Sequence, residues 1–256
     1  MTRWDPDLYL RHADERGRPF VELLARVPVT APARVLDLGC GAGNLTAVLR
    51  DRWLGTEITG VDSSPEMIDR ARQVDPDGHY EVADVVTFEP DGPYDVIVSN
   101  AMFQWVPEAF DVITRLLESV QEGGALAVQV PDNQDAPSHA LMREVAARPA
   151  FAEHARGVRR FSRTDAASYL ELFAGLGWQA DAWTTQYLHV LQGDDAVWGW
   201  VSGTGARPYV QALPEGLREQ FVAEYQAELR DAYPQRSWGT VLPFARTFAV
   251  ATRSDR

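Results

Sequence analysis

Asp37-Leu38-Gly39-Cys40-Gly41-Ala42-Gly43 is the most informative segment of this 256-residue chain. It follows an apolar run of strand length, Arg34 to Leu38, and it precedes a helical pattern from about Asn44 to Trp53. A strand, a tight glycine turn and a helix in that order form a surface that a nucleoside ligand can approach at the carboxyl end of a parallel sheet. The glycines of the turn leave out the side chains that would block this approach.

A second acidic residue supports nucleoside binding at this turn. Asp62 ends the next predicted strand, about where a carboxylate binds the two ribose hydroxyls. Its separation from Asp37 is close to the roughly 20 residues expected in such units. Ser63 and Glu66 form a capping-box pattern around Pro65, which predicts a helix that begins after Ser63. A tight turn without a ligand is the alternative, and the agreement of these features argues against it.

The residues around the turn also indicate which nucleoside is bound. The dinucleotide pattern G-x-G-x-x-G fails, because the sixth position counted from Gly39 is Asn44. Asp37 lies at the entrance of the turn, where its carboxylate would repel a pyrophosphate and attract an ammonium group. The turn therefore favours a positively charged amino-acid nucleoside. An NAD-dependent oxidoreductase remains the alternative from a different class.

Apolar runs of strand length alternate with helical patterns along the first half of the chain, which predicts an α/β fold with a parallel sheet. The predicted strands are Arg34–Leu38, Glu57–Asp62, His79–Ala83, Tyr94–Asn100, Ala125–Val130, Ala180–Val190 and Phe244–Thr252. Further helical patterns cover Pro107 to Gly123-Gly124, Pro137–Ala147, Thr164–Leu176 and Asp194 to about Asp231. The second half is richer in Trp and Arg, and part of it is predicted to form a lid.

The composition excludes several classes of function. All 24 basic residues are arginine, and a chain without lysine has no Schiff-base, pyridoxal phosphate or P-loop chemistry. The net charge of −13 argues against nucleic acid as a partner. Cys40 is the only cysteine, which excludes an internal disulfide and a cysteine-based zinc site, and we expect no metal.

The hydropathy pattern bears on location. No segment has the roughly 20 consecutive apolar residues of a membrane span, and the first residues lack the apolar run of a signal peptide. We therefore expect a cytoplasmic protein that has no membrane partner. The sequence does not indicate an oligomeric state.

Four segments resemble motifs of the class I S-adenosylmethionine (SAM)-dependent methyltransferases. They are Asp37–Gly43, Val61–Met67, Ala83–Asp84 and Val98–Asn100. The resemblance implies SAM as the cofactor and a Rossmann-like, seven-stranded, mostly parallel sheet with a reversed last strand, helices on both faces and a helical lid. It further implies that the cofactor contacts Asp37, Gly39, Gly41, Asp62, Ser63, Asp84 and Asn100. For Asp84, the cap of a helix or turn remains the alternative.

Segments outside these motifs resemble the trans-aconitate 2-methyltransferase family over nearly the whole chain. They are Trp4–Leu10, Glu15–Pro19, Phe103–Trp105, Val128–Asn133, His139–Val145 and Trp200–Tyr209. The resemblance implies transfer of a methyl group from SAM to a carboxylate of a small tricarboxylic acid, trans-aconitate, to give a monomethyl ester. A class I methyltransferase acting on another small molecule and a SAM-binding module without turnover remain alternatives.

Several residues are candidates for binding the acid. Planar guanidinium groups bind carboxylates through two hydrogen bonds, so Arg16, Arg18 and Arg207 are candidates for the acid or for the methionine carboxylate. The negative net charge does not exclude this, because the screening length at physiological salt is only about 8 Å. A surface ion pair, such as Asp14 with Arg18 four residues later, is the alternative.

The remaining candidates are aromatic or amide side chains. Trp105, Trp200 and Tyr209 are predicted to wall the pocket and exclude water, with core packing as the alternative. Gln104 is predicted to hydrogen-bond the substrate. A carboxylate is already ionised at pH 7 and needs no general base, so we expect no catalytic residue that acts as an essential base.

These predictions place one methyltransferase domain over residues 1–256. Within it, we expect a SAM-binding core at approximately 30–132 and a segment at approximately 133–238 that includes the substrate lid and the sixth strand. Residues 1–29 are predicted to form an N-terminal helical cap.

Overall fold

The computed structural model describes residues 13–158 and 164–253, with side chains from residue 17 onward in the first helix. The segment Trp4–Leu10, which carries part of the family resemblance, lies outside the described residues. The same holds for residues 1–12 of the predicted N-terminal cap.

Seven strands form one sheet in the order β3-β2-β1-β4-β5-β7-β6. They are β1 (Arg34–Leu38), β2 (Glu57–Asp62), β3 (His79–Val82), β4 (Tyr94–Asn100), β5 (Val120–Pro131), β6 (Gln179–Leu191) and β7 (Thr240–Thr252). Strands β1 to β5 pair with one another in parallel, and β7 runs antiparallel to β5. The predicted mostly parallel, seven-stranded sheet with a reversed last strand is confirmed.

Helices connect these strands. They are α1 (Ala13–Leu24), α2 (Thr46–Arg52), α3 (Pro65–Val74), α4 (Ala109–Leu117), α5 (Pro137–Ala146), α6 (Ala152–Ala155), α7 (Ala166–Gly175), α8 (Ala196–Ser202), α9 (Arg207–Ala212) and α10 (Glu215–Ala232). A short 3₁₀ turn, Phe103–Trp105, follows β4.

The central strands are buried on both faces. Leu126 and Val128 of β5 belong to the cluster that packs on α4 and α7. Ala127, which points to the opposite face of the same strand, is fully buried as well. Burial on both faces is what helices on each side of a parallel sheet produce, and it explains the near-continuous apolar runs in the sequence.

The chain forms two compact units. Among the described residues, one unit takes 13–131, 164–185 and 246–253, and we call it the sheet unit. The other takes 132–158 and 186–245, and we call it the helical unit. Strands β6 and β7 contribute residues to both units. The domain bounds and the lid stay predictions.

The helical unit has a core of its own, rich in aromatic residues. Phe151 and Phe221 meet edge to face with ring centroids 5.3 Å apart. Tyr225 of α10 donates a hydrogen bond to the Ser138 carbonyl at 2.6 Å. Tyr233, which follows α10, accepts one from the Ser138 N–H at 2.9 Å. These two bonds attach α10 to the first turn of α5, and the second one satisfies the Ser138 N–H, which lacks a partner within the helix.

The predicted capping box at the start of α3 is wrong by one residue. Ser64 is the N-cap, and its hydroxyl accepts the Met67 N–H at 3.3 Å. The reason is Pro65, because a residue that precedes proline is driven into extended backbone, the conformation that an N-cap requires. Ser64 accordingly has φ −94° and ψ 114°. Ser63 is exposed and lies outside the helix.

Strand β5 begins earlier than predicted. It starts at Val120, and Gly123-Gly124, predicted to close the preceding helix, lies within it. The β4–β5 register shifts between Tyr94 and Val96, and Gly123 has φ +73°. Glycine supplies that backbone conformation at little cost, so the pair marks an irregularity in a strand. Helix α4 itself ends at Leu117.

Candidate active site

The glycine turn after β1 is held by the neighbouring strand. Gly39 and Cys40 both donate their N–H groups to the Val61 carbonyl of β2, at 2.7 and 3.1 Å. Gly39 has φ +74°, and a Cβ there would lie 2.6 Å from Met102. Gly41 has φ +57°, and a Cβ there would meet no atom within 4 Å. The turn therefore requires glycine for its backbone and leaves open space above Gly41.

Asp62 joins this turn to the start of α3. Its Oδ2 accepts the Gly41 N–H at 3.0 Å, and its Oδ1 accepts the Ser64 N–H at 2.9 Å. Burial raises the pKa of Asp62, and the hydrogen bonds from Ser64 and Gly41 oppose that shift. A carboxylate oxygen can accept more than one hydrogen bond, so Asp62 can organise the turn and still accept hydroxyl donors.

Asp37 is a nearly inaccessible acid at the entrance of the turn. Its side chain is 3% exposed, and its Oδ2 accepts a hydrogen bond from the Thr46 hydroxyl at 2.7 Å. Burial raises the pKa of Asp37 to about 7, Thr46 opposes the shift and the charge of Asp62 adds to it. Two acids close together in a poorly solvated place favour a cation as their ligand.

The end of β4 forms a strained corner. Ala101 has φ +56°, which is uncommon for a residue other than glycine. Its N–H donates to the Gln129 carbonyl at 2.8 Å, and its carbonyl accepts a hydrogen bond from Gln104 Nε2 at 2.6 Å. Gln104 therefore fixes this corner. Asn100 Oδ1 and Gln104 Oε1 are buried and have no hydrogen-bond partner in the described part of the chain.

The other predicted cofactor residues are more exposed. Asp84 is exposed, and its Oδ1 accepts the Val86 N–H at 3.0 Å, which is the geometry of a turn cap. The Asp84 carbonyl also accepts the N–H groups of Thr87 and Phe88. The structure brings together Asp37, Gly39, Gly41 and Asp62 at one turn. Asn100 lies two strands away from Asp62, at the end of β4.

The predicted substrate arginines differ in their surroundings. Arg18 has a side chain that is 68% exposed and forms an ion pair with Glu22, one helical turn later, at 2.8 Å. Such a pair is the surface alternative, and it contributes little to stability. The side chain of Asp14, the expected partner, lies outside the described residues. Arg207 is half-buried at the start of α9 in the helical unit. The side chain of Arg16 lies outside the described residues.

The predicted aromatic residues lie in different places. Trp200 is 2% exposed and stacks on His189 with centroids 4.6 Å apart. Tyr209 stacks on Phe221 at 6.4 Å. Both rings belong to the core of the helical unit, which agrees with the packing alternative. Trp105 is half-buried in the 3₁₀ turn of the sheet unit. The substrate roles of these residues stay predictions.

Two polar residues that are not among the predicted site residues are buried near the corner at Ala101, and one of them, Gln129, lies in the segment Val128–Asn133 that resembles the family. Gln129 of β5 is fully buried, and Arg246 of β7 is 4% exposed. Arg246 Nη1 donates to Gln129 Oε1 at 3.1 Å. The available signal was one amide inside the apolar run Ala125–Val130 and one arginine inside the apolar run Phe244–Thr252.

The helical unit contains a cleft with a volume of about 700 Å³. Its wall includes Asn133, Tyr233 and Arg236, and it contains none of the predicted substrate residues. Asn133 uses both ends of its amide on the Ala245 backbone. This part of the wall is therefore structural.

The described residues offer neither a metal site nor a membrane-spanning helix. In ranges 13–158 and 164–253, no three His, Cys, Asp or Glu side chains are grouped so that they could hold a metal ion. No helix in those ranges combines the length and the apolar character needed to cross a membrane.

The seven-stranded sheet with its glycine turn and acidic strand ends defines a methyltransferase. Residues 9–182 match the family model described as a methyltransferase domain. The chain is 48% identical to the trans-aconitate 2-methyltransferase of Streptomyces avermitilis, with 98% of this chain and 97% of that protein covered. It is 41% identical to the enzyme of the same name from Escherichia coli O157:H7, over the full length of both. The chain belongs to the trans-aconitate 2-methyltransferase family.

Solved structures confirm the fold. The crystal structure of the plantazolicin methyltransferase BpumL, in complex with a triazolic desmethylPZN analog and S-adenosylhomocysteine (SAH), matches with a TM-score of 0.56. The alignment covers 98% of this chain and 89% of that one at 14% sequence identity. At that identity, the similarity concerns the fold alone.

Proposed function

We propose that this protein transfers the methyl group of SAM to a carboxylate of trans-aconitate and releases the monomethyl ester. The observation that carries the proposal is the buried carboxylate of Asp37 beside a glycine turn that leaves open space above Gly41. This arrangement suits a cationic amino-acid nucleoside. The acceptor is inferred from the names of the relatives, whose sequences align with this chain over nearly its whole length. A cytoplasmic location is part of the same proposal.

The residues of the turn fit SAM. Asp37 provides a poorly hydrated negative charge for an ammonium group. Asp62 is fixed by two backbone N–H groups in a position to accept ribose hydroxyls. Asn100 Oδ1 is a buried acceptor whose partner is not found among the described residues. A ligand that carries donors would satisfy it, since buried polar groups are normally hydrogen-bonded.

For this reaction, the side chains of the protein only need to bind the two substrates and orient them. Bound SAM supplies an electrophilic methyl group on a sulfonium. An oxygen of the acceptor carboxylate forms the new C–O bond while the C–S bond breaks and its electron pair stays on sulfur. The carboxylate is ionised at pH 7, so no side chain has to remove a proton. The rate comes from alignment of oxygen, carbon and sulfur and from exclusion of water around charges that cancel.

The test is incubation with methyl-labelled SAM and a panel of di- and tricarboxylic acids, followed by mass analysis of the products. We expect base-labile label on trans-aconitate, because a methyl ester hydrolyses in alkali. Asp37→Asn is expected to lose most of the transfer. Asp165→Asn changes an exposed acid that caps α7 and is not among the predicted site residues, and it is the matched control for the loss of one carboxylate. No label on any carboxylate would refute the proposal.

A further inference from the structure

A group of buried polar side chains lies at the carboxyl-terminal ends of the central strands β4 and β5. Asn100 ends β4 and pairs in register with Gln129 of β5. Arg246 of β7 pairs with Pro131, the last residue of β5. Its Nη1 donates to Gln129 Oε1 at 3.1 Å. A guanidinium, which is always charged, is therefore held away from water beside an amide and next to the corner that follows β4.

At the carboxyl-terminal ends of β4 and β5, the buried atoms without hydrogen-bond partners in the described residues fall into donors and acceptors. Gln129 Nε2 is a buried donor, and in the described parts of the chain it has no acceptor. Asn100 Oδ1 and Gln104 Oε1 are buried acceptors that likewise have no donor there. Asn100 ends β4 and Gln104 lies in the 3₁₀ turn after it, whereas the donor lies beside Arg246. Buried amide groups of this kind are normally hydrogen-bonded, so the arrangement points to a ligand that accepts hydrogen bonds at β5 and β7.

Charge is distributed unevenly along this end of the sheet. Asp37 and Asp62 place negative charge at β1 and β2, and Arg246 places positive charge at β7. In the sheet, β4 and β5 separate β1 from β7. Neighbouring strands lie about 4.8 Å apart, so Gln129 is roughly 10 Å from the strand of Asp37. The acidic end suits the cationic nucleoside, and the arginine end suits an anion that meets it over β4.

We propose that Arg246 and Gln129 form a subsite for a carboxylate of the acceptor that is not itself methylated. The inference rests on the proposed function and adds residues that determine specificity. Gln129 Nε2 and the Arg246 guanidinium donate to this carboxylate and so orient a second carboxylate towards the end of β4. Burial strengthens the interaction because it excludes water from the charged pair. Gln104 acts as a positioning residue through its bond to the Ala101 carbonyl.

The test compares trans-aconitate with three dicarboxylates that each lack a different one of its carboxylates: cis-glutaconate, itaconate and mesaconate. For Arg246→Gln, we expect KM for trans-aconitate to rise about 30-fold or more, as is typical for loss of one partner of a buried charge pair. The affinity for SAM should not change. With the dicarboxylate that lacks the bound carboxylate, Arg246→Gln and the unaltered protein should have the same KM.

Two further variants complete the comparison. Gln129→Leu removes the amide donor and should raise KM for trans-aconitate in the same pattern, and it replaces Arg246→Gln if that variant does not fold. Arg253→Gln is the matched control, because Arg253 donates to the Val120 carbonyl at the opposite end of β5. It should leave both KM and kcat unchanged.

Three outcomes would overturn the subsite. One is weaker SAM binding by Arg246→Gln with unchanged acid selectivity, which would assign Arg246 to the methionine carboxylate. The second is an equal rise in KM for all four acids, and the third is no rise for any of them. If the unaltered protein transfers no methyl group to trans-aconitate, the proposed function fails. In that case, calorimetric titration of the SAH-bound protein and its Arg246→Gln variant with trans-aconitate tests the subsite separately. Weaker binding to the variant would support the subsite, and equal binding would contradict it.

Discussion

Asp37 combines two properties that favour a cationic ligand. Its side chain is almost inaccessible to water, and burial raises its pKa to about 7. The Thr46 hydroxyl already stabilises the ionised form, so the remaining cost is that of a charge without a counter-ion in a poorly solvated place. An ammonium group would lower the pKa of Asp37 again, because an opposite charge nearby favours the ionised form. Ligand binding and proton loss are therefore coupled at this residue.

We predict that SAM binding at pH 6 releases a proton. In the free protein Asp37 is largely protonated below its pKa of about 7, and the bound ammonium favours the carboxylate. The affinity for SAM should therefore rise with pH up to about 7 and level off above it. Calorimetry at pH 6 in two buffers with different ionisation enthalpies measures the proton directly.

Asp37→Asn is the control for this proton. It keeps a hydrogen-bond acceptor for Thr46 and removes the titration, so binding to the variant should be weaker and almost independent of pH in this range. Binding to the unaltered protein without proton release would show that Asp37 does not receive the ammonium.

The sequence could reveal the acids and not the arginine for a physical reason. Asp37 and Asp62 lie near the ends of strands beside a glycine turn, which is a local pattern. Gln129 and Arg246 meet only because β7 enters the sheet next to β5, and they are 117 positions apart. No spacing along a single chain indicates such a contact. The left-handed backbone of Ala101 was missed for a different reason, because the residue types that usually mark such a conformation, glycine above all, are absent at this position.

At the scale of elements, burial explains where prediction succeeded. Strands β1, β2 and β4 have the predicted bounds, because each is an apolar run between polar or glycine residues. Helix α2 begins two residues later than predicted, at Thr46. The end of α4 and the start of β5 were harder to predict, because a strand irregularity that contains glycines has the same local composition as a helix end. The position of the N-cap of α3 is set by Pro65, which makes Ser64 the capping residue.

Ser64→Ala should destabilise the protein by about 1 kcal/mol, because it removes the hydroxyl that accepts the Met67 N–H at the start of α3. Urea denaturation monitored by circular dichroism measures the difference. Ser63→Ala is the matched control, since Ser63 is exposed and outside the helix, and it should change the stability by less than about 0.5 kcal/mol. A larger effect at Ser63 than at Ser64 would contradict the observed cap.

Gly39→Ala should be more destabilising than Gly41→Ala. Both residues have positive φ, which costs an alanine roughly 1–2 kcal/mol. A Cβ at Gly39 would also clash with Met102 at 2.6 Å, whereas one at Gly41 meets open space. Thermal unfolding of the two ligand-free variants tests the order. Gly41→Ala should in addition weaken SAM binding, and equal SAM affinity in that variant and the unaltered protein would place the cofactor elsewhere.

For the whole molecule, net charge and local charge oppose each other. The chain carries −13, and a tricarboxylate is repelled by that field at long range. Buried and partly buried charges act at short range and are screened much less than exposed ones. The overall field therefore affects how quickly the acid approaches, and the arginine side of the site affects how firmly it is held.

We predict that kcat/KM for trans-aconitate rises when the salt concentration is raised from a low value towards physiological ionic strength. Added salt shortens the screening length to about 8 Å and suppresses the repulsion more than the contact at a buried arginine. Initial rates over a salt series measure this. The dicarboxylates serve as the control and should show a smaller rise, whereas a steady fall with salt would mean that exposed cations dominate binding.

The most direct measurement of the central claim is calorimetric titration of the protein with SAM, SAH and NADH. The claim is that two acids beside a glycine turn select a cationic amino-acid nucleoside. We predict that SAM and SAH each bind at one site per chain and that NADH gives no binding heat and does not displace SAH. Binding of NADH in competition with SAH would contradict it.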